Sequence, residues 1–404
     1  MNETRGIAAT IRRLLELSAH ELALISIYLL ATGLFRASQN AAQTTMPLIG
    51  HNLIGIGVTK VGLLATIGGG ASVLTNLVMA SLKRSRRSIF VAGLGAFPIG
   101  VLAVALSRTF LELVAAIVLF AITGAIVMPA LASSSASLGS VSSKRGAVAY
   151  TVALSLSLAI GPLIEAGALR LSHDSIRIAL TTFVPLAVVA SILGISKLGK
   201  INSTQRETKT RERSAYVLFR ERGFRDAVFS LALYQFPFVA IINFAAIMAK
   251  SRFGSSAAFS QEALTAFFII SFLSRAFLLI HPTKESDIDW LRASAVATVL
   301  GVLLIGLAGT PVMFLVAMVL LGIPHGLTFP LALNLLNETV EHEQLAKGNA
   351  ILSATTGLIS LVGPFVIGLL SARFGISKMF LLMAVPTLIF SIPLFLRRPN
   401  QLLV

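Results

Sequence analysis

Residues 145–167, RGAVAYTVALSLSLAIGPLIEAG, form an apolar stretch that leaves this chain little choice of solvent. About 20 apolar residues in a helix cross the hydrocarbon core of a bilayer. Three features mark the stretch: the pair Gly161-Pro162, the acid Glu165, and the basic start Lys144-Arg145. The same layout returns 202 residues later. Arg145, Gly146, Gly161 and Pro162 map onto Lys347, Gly348, Gly363 and Pro364, and 202 is half of the 404 residues. The chain therefore reads as two homologous halves.

Composition agrees with a lipid solvent. The sequence is 55% hydrophobic and only 12% charged, against about 25% charged in a soluble domain. Its mean hydropathy is +0.87. A net charge of +16 raises the question of nucleic acid. The basic residues, however, sit in short breaks between apolar runs, with no aromatics interleaved, so no nucleic-acid partner is expected. The absence of cysteine excludes disulfides, thiolate catalysis and thiolate metal sites. There is no phosphate-binding glycine loop, no HExxH pattern, and no Ser/His/Asp set at matching depth. Neither an enzyme nor a cofactor is expected.

Twelve spans are predicted, about 22–48, 57–82, 88–106, 110–134, 147–170 and 178–196, then 226–249, 258–281, 291–309, 311–336, 348–371 and 377–396. Each must be a helix, because lipid offers nothing to an open strand edge. The expected division is an N-terminal bundle over 1–196, a basic linker over 197–225 and a C-terminal bundle over 226–404. Lysines and arginines mark the inner side. With both termini cytoplasmic, 23 of them fall inside and eight outside, with Arg36 and Arg275 within spans. The linker reads as solvated, with a surface helix in SAYVLFRERGF against anionic lipid headgroups.

Two six-span halves, cytoplasmic termini and a long basic central loop resemble the major facilitator superfamily of secondary transporters over the whole chain. Span five resembles that family's antiporter-type GxxxGPxxGG motif through Ser157, Gly161, Pro162, Glu165 and Ala166, of which the Gly-Pro matches outright. The LKRSRR tail after span two resembles its first loop motif, with Val78 and Leu82 at the usual Gly and Asp positions. In span four Gly124 fits an RxxxG element, with Phe120 at the Arg position. The resemblance implies an all-α membrane protein of two pseudo-symmetric six-helix bundles around a central cavity. It further implies that spans 1, 4, 7 and 10 line the cavity and that spans 2, 5, 8 and 11 form the moving seam.

Polar residues inside spans are the candidates for function. Arg36, Gln39, Asn40 and Gln43 recur at i, i+3, i+4 and i+7, on one helical face. A mid-bilayer charge costs at least about 2.5 kcal/mol, so this stripe faces protein or water, as substrate contact or as a helix–helix seam. Glu165 lies roughly 8 Å inside span five. It is a proton-coupling site, a counter-ion for a base such as Arg36, or a residue of the outer vestibule. His325, in GIPHGLTFP, is a second titrating candidate and a substrate contact, or a histidine satisfied by a backbone carbonyl. Tyr234, Gln235 and Asn243 stand among Phe229, Phe236, Phe238 and Phe244, which suits an amphiphilic ligand or plain packing. Asn349, Ser353, Thr356 and Ser360 read as a close-packing stripe, as do Gly68, Gly69 and Gly70. Arg275 is expected to snorkel to the cytoplasmic surface. Gly161, Pro162, Gly326, Gly363 and Pro364 are the expected bends.

These features predict a monomeric, multi-pass transporter in the plasma membrane. It moves a small solute, an amphiphilic drug-like compound or an organic anion, by alternating access with protons as coupling ion. Export is favoured by the span-five motif; uptake by symport and a non-transporting receptor are the alternatives.

Overall fold

The computed structural model of the chain describes residues 18–81, 86–135, 138, 141, 143–198, 215–280, 287–341 and 344–396. Among the described residues, twelve helices are long and apolar enough to cross a membrane. We number them α1 (His20–Leu53), α2 (Val58–Met79), α3 (Arg87–Leu106), α4 (Phe110–Ser135), α5 (Ala149–Leu171), α6 (Ile176–Ser196), α7 (Arg222–Phe253), α8 (Ala257–Leu278), α9 (Asp287–Leu307), α10 (Pro311–Thr339), α11 (Lys347–Phe374) and α12 (Ile376–Phe395). Most bounds fall within four residues of those predicted. Span one is the exception, because Pro47 does not end it; a wide π-helical turn over Ile49–Leu53 carries it on.

Local chemistry sets the helix starts. Ser18 and Glu21 form a reciprocal capping box at α1, with Glu21 N–H donating to Ser18 Oγ at 3.2 Å and Ser18 N–H to Glu21 Oε2 at 3.1 Å. Thr310 caps α10 through Met313 N–H at 3.2 Å, with Pro311 in the first turn. Of the predicted linker, residues 199–214 lie outside the described residues; its end carries one helical turn, Ala215–Leu218, just before α7. The Lys83-Arg84 part of the basic loop also lies outside them.

The helices form two six-helix bundles with matching contacts. In the first, α1 packs on α5 and α6, α2 on α4, and α3 on α4 and α6. In the second, α7 packs on α11 and α12, α8 on α10, and α9 on α10 and α12. The duplication reaches single positions. Gly161 approaches Ala37 of α1, and its image Gly363 approaches Val239 of α7, the image of Ala37. Gly146 meets the Ser135 carbonyl of α4, and its image Gly348 meets the Leu336 side chain of α10, one position from the image of Ser135.

Between the halves the seams are α2 on α11 and α5 on α8. We call the end where α1 begins proximal and the other distal. At the distal end α2 and α11 touch backbone to backbone. A side chain at Gly62 would meet the Pro364 carbonyl, and one at Gly368 would lie 2.9 Å from the Val58 carbonyl. Thr59 Oγ1 donates to the Gly368 carbonyl at 3.4 Å, and Thr66 Oγ1 to the Leu361 carbonyl at 2.8 Å. Past Gly70 this seam changes character. Val73, Leu74, Leu77 and Val78 are exposed, and so are Asn349, Ser353, Gly357 and Leu358 of α11. The hydroxyl stripe of α11 is therefore not the close-packing surface expected of it, because α2 is no longer against it there.

The α5–α8 seam closes the distal end with charge. Asp174, after α5, accepts from the N–H groups of Ala257 (2.9 Å) and Ala258 (3.0 Å), capping α8 from the other half. It also pairs with Lys250 at 3.2 Å. Arg170 pairs with Glu262 at 2.5 Å. His173 and Asp174 hold positive φ, 52° and 65°, which costs free energy that the clasp offsets. α1 meets α7 mainly through its distal part, Ile241–Phe253. The halves are thus joined distally and separate toward the proximal end.

Two outcomes follow. Gly62→Val overfills the α2–α11 contact at a cost of about 1–3 kcal/mol, so a cysteine placed at Thr66 in this cysteine-free chain should label from the distal side about tenfold faster. Gly70→Ala, facing only Leu361 at 3.9 Å, should leave the rate unchanged. Asp174→Ala removes the cap and the Lys250 pair, and the cap alone is worth about 0.5–2 kcal/mol; spin-label distances across the distal end should broaden outward, and an unchanged distribution contradicts the clasp.

Candidate functional site

The α1 stripe divides between two roles. Asn40 Nδ2 donates to the Leu158 carbonyl of α5 at 3.1 Å, and Asn40 is only 3% exposed. Its amide serves the seam within the N-terminal bundle. Gln39 is buried, with its amide against Gly124 of α4, where any side chain would collide with it. Gln39 Oε1 in turn accepts from Arg36 Nη1 at 2.5 Å. Arg36 is partly exposed, its Nε has no hydrogen-bond partner among the described residues, and Tyr150 of α5 stands within electrostatic reach. Gln43, one heptad on, is exposed. Arg36 and Gln43 therefore occupy an open stripe, with Gln39 steering the guanidinium.

The second half answers with an aromatic cluster around His325. Phe238 stacks on its ring at 4.5 Å and Phe267 at 5.0 Å; Phe268 meets it edge-on at 5.8 Å and Tyr234 lies at 5.5 Å. Among the described residues, His325 Nε2 and the Tyr234 hydroxyl are buried without hydrogen-bond partners. Gly322 and Gly326 let α10 press on the α8 backbone at Phe267 and Ser271, which holds the imidazole among these rings. The other span-seven phenylalanines are spent on packing. Phe229 and Phe236 each lie 5.9 Å from Phe390 of α12, and Phe244 is fully buried. No aromatic wall lines a cavity from those positions.

Arg275 departs from the sequence reading. It does not snorkel: Nη1 donates to Ser155 Oγ of α5 at 3.1 Å and Nη2 to the His325 carbonyl at 3.3 Å. One side chain thereby links α8 to α10 and to the opposite half. Snorkelling is unnecessary because hydroxyl and carbonyl acceptors lie within reach at its own depth.

Three contacts, Asn40 with Leu158, Ala37 with Gly161 and Thr45 with Glu165, fix the register of α1 on α5. That register puts Arg36 within about one turn of Ser155 in depth, roughly 5 Å along the axis. Since Ser155 and the His325 carbonyl both hold Arg275, the residues Arg36, Arg275, His325 and Tyr234 form one layer across both halves.

Glu165 lies about two and a half turns distal to this layer. It is fully buried, so it does not reach an outer vestibule. Nor does it pair with Arg36. Thr45 Oγ1 donates to its Oε1, and Oε2 is buried without a partner. Among the described residues no cation pairs with it. Asn243 is buried and bonds back to the Val239 carbonyl of its own helix at 2.8 Å, within the π-helical turn Ile241–Ala245. Gln235 donates to Ser360 of α11 at 2.8 Å. The glycine–proline pairs do not break their helices: α5 belongs to an unbroken helix Ser143–Leu171, and α11 to Leu345–Phe374. Gly161 instead allows close approach of α1, and the Pro364 carbonyl closes on Gly62. Thr45, Ser155 and Asp174 carried no sequence signal; hydroxyls in spans are common, and only their partners give them a role.

A search of curated proteins finds no match. Among solved structures the fold is similar to a bacterial homolog of the human lysosomal transporter Spinster in an inward-facing, unoccupied conformation, with a TM-score of 0.72 and 15% identity over 92% of this chain and 96% of that one. It is also similar to the nucleoside transporter NupG (TM-score 0.70, 13% identity, 94% and 100% covered) and to a POT family transporter solved with a thioalcohol-conjugated peptide (0.69, 14%, 91% and 94%). A family profile described as Major Facilitator Superfamily matches residues 28–282 and 287–402. With that match spanning both bundles, the chain belongs to the Major Facilitator Superfamily.

Proposed function

We propose that the protein is a proton-coupled secondary transporter that exports a small organic solute, an amphiphile or an organic anion, by alternating access. One observation carries the reading: both inter-half seams are closed distally, while α2 and α11 part toward the proximal end. Such a pair of bundles can exchange open ends by rocking about the layer that holds Arg36, Arg275, His325 and Tyr234. In this reading the protein lies in the plasma membrane, and the lysine and arginine distribution supports cytoplasmic termini. On that orientation the described state faces inward.

The substrate contacts in this reading are Arg36, Gln43, Tyr234 and His325, with Gln39 and Asn40 positioning Arg36 and α1, and with Gln235 and Asn243 supporting α7. Glu165 carries the coupling proton. A buried carboxyl group without a counter-ion is a place where a proton can be taken up and released as water access changes sides. The membrane field supplies about 2.3 kcal/mol per charge per 100 mV, enough for one proton to drive accumulation. The Gly-Pro pair of α5 supports export through its resemblance to the antiporter motif.

The test is flux in proteoliposomes under an imposed pH gradient, over a solute panel. The wild type should respond to the gradient. Glu165→Gln should transport by exchange while losing the gradient response, and Arg36→Ala should lower flux about tenfold or more, the worth of one charge-assisted hydrogen bond. Identical gradient responses in wild type and Glu165→Gln would remove the proton assignment. Ligand binding without flux in the wild type would replace transport with a receptor role.

A further inference from the structure

Among the described residues the polar layer holds two cations and no anion. Arg36 keeps an unpartnered Nε, and Arg275 is satisfied only by a hydroxyl and a carbonyl. Neither guanidinium has a carboxylate partner among the described residues. The acids inside the spans are committed elsewhere. Glu262 is tied to Arg170, Glu165 is held by Thr45 more than two turns away, and Glu21, Glu112, Asp226, Asp287, Asp289 and Glu338 lie near span ends. Guanidinium groups withdrawn from water are costly unless an anion or several acceptors meet them. An arginine fork fits carboxylate and phosphate oxygens in pairs, which a hydroxyl or carbonyl cannot do.

Symmetry gives the depth at which Arg36 lies. Its image under the 202-residue repeat is Phe238, the ring that stacks closest on His325. The two positions lie on α1 and α7, the paired helices that meet between the halves, so Arg36 and the His325 cluster lie at matching depth on the two sides of that meeting. The rings there are packed on the imidazole and on one another, leaving polar atoms, His325 Nε2 and the Tyr234 hydroxyl, as the unspent groups. This chemistry lacks the acid that a cationic amphiphile would need.

We infer that the solute is a small organic anion whose carboxylate or phosphate group binds between Arg36 and Arg275, with His325 and Tyr234 as further polar partners. The inference takes from the transport reading only the identification of this layer as the solute site. Bound there, the anion competes with Ser155 for Arg275, so occupancy loosens the α5–α8 seam at the depth where that arginine pins it.

The experiment is titration of the purified full chain in lipid nanodiscs at fixed ionic strength, with benzoate, phenyl phosphate, benzylammonium and benzyl alcohol as probes. At least one anion should bind, and the cation and alcohol should not. Arg36→Gln and Arg275→Gln should each weaken the anion about tenfold or more, from the loss of a charge-assisted hydrogen bond. Arg275→Lys should retain part of the affinity, and Arg373→Gln, an exposed arginine in the last turn of α11, should retain all of it. Ser155→Ala should leave anion binding intact or tighter, whereas an Arg275 that served only as a structural bridge would make Ser155→Ala as damaging as Arg275→Gln. Binding of benzylammonium or benzyl alcohol as tight as that of the anions overturns the inference. So does failure of both anions to bind at millimolar concentration, or full anion affinity in the two glutamine variants. The transport reading fails separately: cation-selective binding with proteoliposome flux removes only the anion, and anion binding without flux removes only transport.

Discussion

The distal joint between α2 and α11 depends on the absence of side chains. Gly62 receives the Pro364 carbonyl and Gly368 receives the Val58 carbonyl, so two backbones come together where ordinary residues would hold them apart. In lipid there is no hydrophobic gain from helix association; close van der Waals contact and hydrogen bonds must supply it. A contact of that kind is short-ranged. It holds while the surfaces mate and is lost within a small rotation, which suits a joint that must open. The α5–α8 joint uses the other available force, charge, with Asp174 on the first turn of α8 and Arg170 on Glu262 at the rim, where water lowers the cost of ions.

The two seams are images of each other, yet they differ at mid-depth. Arg275 on Ser155 ties α8 to α5. The image positions in the other seam are Val73 and Gly357; Val73 is exposed, and a side chain at Gly357 would meet nothing within 4 Å. The repeat thus conserves helix placement while one seam alone gains a polar pin. His325 shows the same pattern. Its image is Thr123, which bonds to the Phe120 carbonyl of its own helix, while the histidine is enclosed by rings from α7 and α8. Backbone packing is shared between the halves, and the chemistry is specific to each.

That division explains what could be read from the sequence. Apolar length gave all twelve helices, and the 202-residue repeat gave the pairing of the halves, because lipid permits few alternatives to a helix and duplicated helices repack in the same way. The α1 stripe was visible from spacing, but its splitting was not: Asn40 and Arg36 lie one turn apart, and only the position of Leu158 turns the first into a seam residue. Arg275 was misread because distance from a span end says nothing about acceptors on neighbouring helices. The α11 hydroxyl stripe was misread because small residues mark close packing only where a partner is present. Thr45 and Ser155 were invisible, since a hydroxyl in a helix can always bond its own backbone.

Helix α5 connects these parts mechanically. One of its faces, with Leu158, Gly161 and Glu165, lies on α1, and the other, with Ser155 and the end at Arg170, lies on α8. Glu165 and Ser155 are ten residues apart on one unbroken helix, roughly 15 Å. A rigid helix passes rotation from one face to the other with little loss. A change in the Thr45–Glu165 contact shifts α5 against α1, and a change at Arg275 shifts it against α8. The proposed proton carrier and the proposed anion site therefore need no contact with each other to be coupled. What they require is that α5 remain one continuous helix through Gly161-Pro162, as it is.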